Sequence, residues 1–198
     1  MIRVDFWYEF ASTYSYPAAM RIEALAAARG LELRWRPFLL GPIFASQGWR
    51  DSPFNLFPAK GGYMWRDMER ICRKLQLPLK KPDPFPQNSL HAARVACALD
   101  DAARPAFTRA IFHAEYGEGR AIADRAVIAQ ILANLGHHAS EVLERAASPE
   151  TKQKLRREND EALRLGIFGA PTCVTEDSEI FWGNDRLEDA LDWAEGRR

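Results

Sequence analysis

The chain has 198 residues, and its 27 Lys and Arg residues balance 27 Asp and Glu residues, so its formal net charge is zero. This length predicts one domain, or one domain with a large insertion, and the zero net charge argues against a polybasic nucleic-acid-binding protein. With 47% hydrophobic and 27% charged residues, the composition is typical of a folded globular protein rather than a disordered one.

The cysteines are too few and too widely spaced to indicate a redox or metal centre. Cys72, Cys97 and Cys173 include no CxxC pair, so neither a zinc knuckle nor a dithiol redox site is predicted. The histidines lack metal-ligand spacing, and we expect no metal. Cys173 is predicted to pack as a small buried apolar residue. An odd and sparse cysteine content is typical of a reducing compartment, which indicates a cytoplasmic protein.

Segments that enter or cross a membrane are not indicated by the sequence. The first nine residues carry three charged side chains, and no apolar core of a signal peptide follows them. No stretch reaches the about 18 consecutive apolar residues that a membrane-spanning helix needs. We therefore expect the partners of this protein to include neither a membrane nor a nucleic acid.

The chain begins with a predicted strand, helix and strand. Residues Ile2–Phe10 are rich in aromatic and β-branched side chains that partly alternate with charged ones, which predicts a strand. Residues Tyr16–Arg29 carry apolar side chains at helical spacing, and Gly30 is a natural helix terminator. Residues Leu31–Phe38 alternate again. A strand–helix–strand unit with a short crossover is normally parallel and right-handed.

The middle of the chain is predicted to be helical after an irregular segment. Residues Leu39–Lys60 contain several glycines and prolines and are predicted to form a loop. A helix over Lys60–Leu75 follows, and Asn88 and Ser89 are N-cap candidates for a helix that extends through Ala98. Further alanine-rich helices are predicted over 105–116, 124–135, 139–147 and 149–165.

The C-terminal part returns to strand character. Residues Thr172–Thr175 and Ile180–Trp182 are predicted to form a hairpin around a polar turn. Asn184 is predicted to cap a final helix over Arg186–Ala194. Two β-containing ends around a long helical middle indicate a single α/β sheet with an insertion, in the order of a thioredoxin-like fold.

The predicted division of the chain follows from this order of elements. Residues 1–60 and 166–198 are expected to form a thioredoxin-like domain, and residues 61–165 are expected to form a helical insertion domain. The predicted fold class is therefore α/β, with a thioredoxin-like sheet that carries a large all-helical insertion.

Four sequence blocks resemble those of one enzyme family. The block DFWYEFASTYSY (5–16) resembles the N-terminal signature of the 2-hydroxychromene-2-carboxylate isomerases, which belong with the kappa-class glutathione transferases and the DsbA-like thioredoxin proteins. The blocks PAKGGYM (58–64), GIFGAPT (166–172) and FWGNDR (181–186) resemble the family's insertion-helix start, the loop before its third strand and its glutathione loop. The resemblance implies a DsbA- or kappa-like fold and glutathione as the cofactor.

Ser12 is the residue that this resemblance assigns to catalysis. It lies where the first strand ends and the first helix begins, and the free N–H groups of a helix start favour a negative charge. In redox relatives a cysteine occupies this place, but here Ser12 and Ser15 stand at both redox positions, so disulfide exchange is excluded. A hydroxyl can instead donate a hydrogen bond to the thiolate of glutathione. From the residues alone, Ser12 also fits a simple helix cap.

The same resemblance assigns residues near the C-terminus to glutathione binding. Pro171 is expected to follow a cis peptide bond, which would let the backbone of Ala170 pair with a peptide-like ligand. Asn184 and the helix N–H groups suit the γ-glutamyl carboxylate, and Asp185 suits its ammonium group. A plain loop proline and an ordinary helix start are the alternatives. The candidate glutathione-binding set is Ala170, Pro171, Trp182, Gly183, Asn184 and Asp185.

The loop before the predicted insertion departs from the family pattern. Relatives commonly carry an Asn-Lys pair there, with the Asn contacting the ligand, whereas this chain has Trp49 and Arg50. An indole cannot replace both the donor and the acceptor of an amide, but Arg50 keeps a cation that can meet a substrate carboxylate. Lys60 is assigned a related role, with a solvated surface lysine as the alternative. These three residues are the candidate substrate-binding set.

The resemblance as a whole implies a glutathione-dependent isomerase of the 2-hydroxychromene-2-carboxylate type. The expected reaction is thiolate addition to an aromatic carboxylate of arene catabolism, then ring opening, bond rotation and release of glutathione. A kappa-like transferase that leaves glutathione on its product is the near alternative. A non-catalytic thioredoxin-like binding module is the alternative of another class. A homodimer is expected as well.

Overall fold

The computed structural model describes residues 2–196, which contain one mixed sheet of four strands. β1 (Arg3–Tyr8) pairs in parallel with β2 (Glu32–Pro37) and antiparallel with β3 (Thr172–Thr175), and β3 pairs antiparallel with β4 (Ile180–Trp182). The strand order is β2-β1-β3-β4. The central strand β1 therefore joins the first part of the chain to the last part. The predicted thioredoxin-like sheet and its parallel first unit are confirmed.

Helices connect and cover this sheet. α1 (Ser15–Ala27) forms the crossover between β1 and β2, and most of the other helices lie between β2 and β3 in the chain. None of the helices in residues 2–196 is long and apolar enough to cross a membrane. A π-helical turn occupies His113–Gly117, and a 3-10 turn occupies Asn184–Arg186. The remaining helices are α2 Leu40–Ser46, α3 Pro53–Leu56, α4 Pro58–Leu75, α5 Leu90–Ala98, α6 Arg104–Phe112, α7 Arg125–Asn134, α8 Ala139–Ala147, α9 Pro149–Arg164 and α10 Leu187–Ala194.

The prediction of a loop over residues 39–60 is wrong, because this segment is partly helical. It contains α2, α3 and the first turn of α4. The prolines that suggested a loop include Pro53 and Pro58, which stand in the first turns of α3 and α4, where a missing N–H breaks no helical hydrogen bond. The Ser52 hydroxyl also caps α3 by accepting the N–H of Phe54 at 3.3 Å.

Two further predictions are corrected in detail. The single helix expected over 105–116 is α6, which ends at Phe112 and is followed by the π-helical turn. The side chain of Asn184 caps no helix, because its amide oxygen accepts a hydrogen bond from Arg21 at 3.2 Å. Asn88 does accept the N–H of Leu90 at the start of α5, at 3.1 Å.

Both faces of β1 are buried, which explains why its sequence alternates only in part. Val4, Phe6 and Tyr8 belong to the main cluster of buried side chains, which extends through the helical region as far as Leu155. Trp7 belongs to a second buried cluster, because successive side chains of a strand face opposite sides of the sheet. A strand covered on both sides carries a nearly continuous run of apolar residues.

The predicted division into residues 1–60 with 166–198 and an insertion of residues 61–165 stays a prediction, and residues 1, 197 and 198 lie outside the described part. The strands of the described chain all lie outside 61–165, whereas the main buried cluster is continuous between the sheet and the helices. Tyr8 on β1 and Thr108 on α6 share a fully buried hydrogen bond of 2.8 Å between their hydroxyl groups. The sheet is thus held firmly against the helices.

Candidate active site

The turn after β1 and the loop before β3 meet at one edge of the sheet. Because β1 and β3 are antiparallel neighbours, the C-terminal end of β1 lies beside the N-terminal end of β3. Ser12 therefore reaches the loop that contains Ala170 and Pro171, and its hydroxyl donates a hydrogen bond to the Ala170 carbonyl oxygen at 2.9 Å. The peptide bond between Ala170 and Pro171 is cis, as expected.

The Ser12 hydroxyl makes two hydrogen bonds of different kinds. It donates to Ala170, and it accepts the backbone N–H of Ser15, the first residue of α1, at 3.3 Å. The same Ser12 oxygen therefore caps the start of α1 and occupies the position that the resemblance assigns to catalysis. Capping uses a lone pair of the oxygen and leaves the hydrogen for another acceptor. The hydroxyl can thus direct its hydrogen at a ligand without releasing the start of α1.

A tight turn after β4 places Asp185 near the cis-proline loop. Gly183 has a φ of 119° and donates its N–H to the Pro171 carbonyl at 2.9 Å. This dihedral angle requires glycine, and the Asp185 carboxylate lies directly beside the Gly183 backbone. The Asp185 side chain is 78% exposed. Its carboxylate is therefore accessible to a ligand that lies along this turn.

Arg21 on α1 fixes the orientation of Asn184. Its guanidinium donates to the Asn184 amide oxygen at 3.2 Å and to the Asn184 backbone carbonyl at 2.5 Å, and it also pairs with Glu188 on α10. Asn184 is only 8% exposed. Since its amide oxygen is bound by Arg21, the amide nitrogen faces another direction. Sequence inspection missed Arg21, because its partners lie more than 160 residues away in the chain.

Trp182 covers the cis-proline loop from the solvent side. A side chain on Gly169 would overlap the Trp182 indole, so the ring packs directly on the backbone of this loop. The Phe168 and Trp182 rings lie 5.0 Å apart between centroids, and both side chains are about half exposed. The predicted residue Trp182 therefore shapes the loop that contains Ala170.

A cavity of about 380 Å³ lies directly beside the Ser12 turn. Its walls come from the turn itself, the start of α2, residues 50–54 and residues 85–90. Of the predicted substrate residues, Arg50 lines this cavity. Trp49 lies outside its lining and packs against Phe44, with centroids 5.8 Å apart. Lys60 also lies outside the lining, with its ammonium group 4.8 Å from the centre of the Phe57 ring.

Glu9 is a buried carboxylate in the wall of this cavity, and the sequence analysis missed its position. One oxygen accepts the N–H of Ala11 at 3.2 Å, and the other accepts the N–H of Leu40 at 2.8 Å. The Ser89 hydroxyl is a further hydrogen-bond partner. Burial raises the pKa of Glu9, and these donors act in the opposite direction. One side chain thereby joins the Ser12 turn, the start of α2 and the start of α5.

A second buried carboxyl group, Glu115, lies in the π-helical turn. It is fully buried, and neither of its oxygens has a hydrogen-bond partner of good geometry within the described residues. Burial, followed by the negative charge of Glu9, raises the pKa of Glu115 well above its usual range. π-Helical turns are often found at functional sites. The surroundings of Glu115 therefore favour its protonated form over its charged form.

Tyr14 connects the Ser12 turn to α4. Its hydroxyl donates to an Asp67 carboxylate oxygen at 3.0 Å. Burial and then Asp67 raise the pKa of Tyr14, and smaller contributions come from Tyr63 and Asp185. The hydrogen bond between Tyr14 and Asp67 therefore ties the Ser12 turn to α4.

The cysteine thiols are buried and free of disulfides. Burial raises the pKa of Cys173 to about 12, and that of Cys72 to about 11. The prediction that Cys173 is a buried apolar residue is confirmed. Thiols with raised pKa are poor nucleophiles, because the thiolate is the reactive form. No group of three or more His, Cys, Asp and Glu residues in residues 2–196 is arranged to hold a metal ion.

Replacement of Glu115 tests whether this buried carboxyl group is neutral. A raised pKa in the folded protein means that the free energy of unfolding falls as pH rises above about 4.5, the pKa of the ordinary group. Glu115→Gln removes this titration, so the stability of the variant relative to the parent should increase from about pH 5 to about pH 8. Urea unfolding at both pH values measures the difference.

The matched control for this experiment is Glu144→Gln, on the exposed face of α8. The stability difference between this variant and the parent, measured at the same two pH values, is the reference for the Glu115→Gln result. A Glu115→Gln variant whose difference from the parent changes with pH no more than that of Glu144→Gln would contradict the raised pKa of Glu115.

Comparison with known proteins identifies the family. Residues 3–192 match the model of the DSBA-like thioredoxin domain. A 2-hydroxychromene-2-carboxylate isomerase from Sphingobium xenophagum is 30% identical over 186 residues, which cover 93% of this chain and 94% of that protein. Human glutathione S-transferase kappa 1 is 28% identical over 202 residues, which cover 93% of this chain and 87% of that protein.

A solved structure of a 2-hydroxychromene-2-carboxylate isomerase has the same fold over almost the whole chain. The superposition covers 99% of this chain and 95% of the other, with a TM-score of 0.89 and 28% identity. The match of the family model, the identity over nearly the full length and the shared fold all agree. The chain therefore belongs to the DSBA-like thioredoxin family and, within it, to the 2-hydroxychromene-2-carboxylate isomerases, which are enzymes.

Proposed function

We propose that this protein is a glutathione-dependent isomerase of the 2-hydroxychromene-2-carboxylate type. The observation that carries the proposal is the Ser12 hydroxyl, which lies at a helix start and 2.9 Å from the Ala170 carbonyl, while the neighbouring residues Ala11 and Thr13 line a cavity of about 380 Å³. This arrangement offers one donor for a sulfur anion, backbone groups for a peptide and space for a substrate. Membership of the isomerase family supports the same activity.

The residues around Ser12 fit a bound glutathione. The amide nitrogen of Asn184 is free of Arg21 and suits the γ-glutamyl carboxylate, since Arg21 holds the amide oxygen. The exposed Asp185 carboxylate suits the γ-glutamyl ammonium group as a charge-assisted pair. The Ala170 backbone suits the central peptide part of the ligand in the manner of an added strand.

Ser12 acts in this proposal by exchanging one hydrogen bond for another. Its hydrogen turns from the Ala170 carbonyl to the sulfur, while its oxygen keeps the N–H of Ser15. The Ala170 carbonyl then accepts an amide N–H of the ligand, so no buried acceptor loses its partner. The hydroxyl and the start of α1 together stabilise a negative charge on the sulfur. Glutathione bound here supplies the thiolate that adds to the conjugated substrate and leaves after ring opening and bond rotation.

The cavity beside Ser12 accommodates the aromatic carboxylate in this proposal. Phe44, Phe54 and Phe85 contribute apolar walls, and Arg50 supplies the cation for the substrate carboxylate. Holding the substrate next to the sulfur contributes to the rate by proximity and orientation. Trp49 and Lys60 lie outside this lining. The geometry of the cavity therefore supports a substrate contact for Arg50 and not for these two residues.

A kappa-like glutathione transferase is the second candidate function. The 28% identity to human glutathione S-transferase kappa 1 over 93% of this chain favours it. The same Ser12 and glutathione-binding residues serve both reactions, and only the release of glutathione from the product distinguishes them. A non-catalytic binding module is disfavoured by membership of a family of enzymes. The homodimer, the cytoplasmic location and the role in aromatic catabolism stay predictions.

The fate of glutathione separates these functions. With 2-hydroxychromene-2-carboxylate in large excess over glutathione, we expect many molecules of ring-opened isomer per glutathione, up to the equilibrium of the two isomers, and no loss of free thiol. Absorbance follows the isomer, and a thiol assay follows glutathione. S-Methylglutathione is the control ligand, because it keeps the peptide but has no ionisable thiol. Thiol loss equal to product formed would indicate the transferase, and glutathione binding without any turnover would indicate the binding module.

Removal of the Asp185 carboxylate should weaken glutathione binding. A hydrogen bond to a charged group contributes about 1.5–3 kcal/mol, and the lower end applies here because the side chain is 78% exposed. Asp185→Ala should therefore raise the glutathione Kd roughly tenfold in isothermal titration calorimetry. Asp189→Ala is the matched control, because Asp189 is an exposed acid in the first turn of α10. Equal effects of the two variants on the glutathione Kd would contradict a direct contact of Asp185 with the ligand and would leave Asp185 as an ordinary negative charge at a helix start.

A further inference from the structure

Two cavities meet at Phe54 and Phe85. The first, called the inner cavity, is the one of about 380 Å³ beside Ser12. The second, called the outer cleft, has a volume of about 750 Å³ and lies between the start of α4 and the proline-rich residues 82–85. Phe54 and Phe85 line both spaces, and no other residue of the described chain is shared between the two linings. These two residues therefore lie between the two spaces, and we call them the partition.

Both rings of the partition are attached to well-fixed backbone. A side chain on Gly61 of α4 would overlap the Phe54 carbonyl, so α3 and α4 are in direct contact at this point. Phe85 lies in a loop that the buried Gln87 closes by donating its side-chain amide to the loop backbone at 2.6 Å. Trp65 packs edge-on against Phe85, with centroids 4.9 Å apart. The partition is thus a built feature of the fold.

The outer cleft offers groups that suit an additional aromatic ring. Trp65 lines it, and the Lys81 ammonium group lies 5.3 Å from the centre of the Trp65 ring. Asn55 adds a polar edge. An aromatic ring gains from apolar contact with an indole and from a nearby cation. The inner cavity supplies the matching charge for a carboxylate through Arg50. A ring system that passed the partition would therefore find favourable contacts on both sides.

We propose that Phe85, together with Phe54, sets the upper size of the aromatic acid that this protein accepts. In this proposal an acid with two fused rings is held within the inner cavity, and the third ring of a linear three-ring acid is directed against the partition. Shortening Phe85 joins the inner cavity to the outer cleft, so the third ring lies against Trp65. This inference rests on the proposed function, because it takes the inner cavity as the substrate site.

The test compares the binding of two planar acids by isothermal titration calorimetry, so it does not depend on turnover. The probes are 2-naphthoate, with two rings, and anthracene-2-carboxylate, with three. Wild-type protein should bind the three-ring acid roughly tenfold or more weakly than the two-ring acid. Phe85→Ala should reduce this ratio by roughly tenfold. Phe85→Leu, a smaller truncation, provides the same comparison if the alanine variant does not fold.

Two control variants make the result specific to the partition. Phe57→Ala removes an exposed phenylalanine that lines neither space, and it should leave the ratio of the two Kd values unchanged. Trp65→Ala in the Phe85→Ala background should reverse the gain for the three-ring acid. An unchanged ratio in Phe85→Ala, an equal gain in Phe57→Ala, or no binding of 2-naphthoate by the wild type would overturn the proposal.

Isomerase activity and the ratio of the two Kd values are measured independently, so the failure of this proposal can be distinguished from the failure of the proposed function. A wild-type protein that isomerises 2-hydroxychromene-2-carboxylate, combined with an unchanged ratio in Phe85→Ala, overturns the size limit and leaves the isomerase intact. A wild-type protein without isomerase activity whose Phe85→Ala variant shows the expected ratio overturns the isomerase and supports the partition.

Discussion

The hydrogen bond between the Ser12 hydroxyl and the Ala170 carbonyl joins the two chain segments on which the candidate site depends. Ser12 follows the central strand, and Ala170 precedes the strand paired with it, so the antiparallel register of β1 and β3 brings them together. The remaining contacts fix each side of this bond. Ser15 holds the Ser12 oxygen at the start of α1, and Gly183 donates to the Pro171 carbonyl. The site is therefore a property of the sheet rather than of any one loop.

Sequence alone predicts the parts of the fold that depend on local patterns and on recognisable motifs. The order of strands and helices, and the burial of Cys173, follow from such patterns. The contact of Ser12 with Ala170, which joins two of the motifs, is long-range and emerges only in the structure. Asn184 shows where a local rule fails, because helix-start rules favour a cap, yet Arg21 from α1 binds its amide oxygen. The expectation for Glu9 fails for the same reason. The alternating pattern suggests a solvent-facing side chain, but segments that follow later in the chain cover it.

Buried carboxyl groups are the main electrostatic constraint near the cavity. Glu9 is compensated by donors from the Ser12 turn and the start of α2, so its burial and the shape of the cavity depend on each other. Glu115 has no comparable donors among the described residues, and its burial raises its pKa. Glu9 thus joins the walls of the cavity through its hydrogen bonds, whereas burial and the nearby Glu9 disfavour the charged form of Glu115.

The central claim is that Ser12 stabilises the thiolate of bound glutathione. The pKa of the bound glutathione thiol tests this claim most directly. A free thiol has a pKa of about 8.5. Ultraviolet thiolate absorbance against pH should give a lower pKa for glutathione bound to the wild type and a higher one in Ser12→Ala, which loses one donor but keeps the start of α1. Ser15→Ala is the matched control, because the buried Ser15 hydroxyl has no hydrogen-bond partner within the described chain, and its titration curve should match that of the wild type. Identical curves for the wild type and Ser12→Ala would contradict the account.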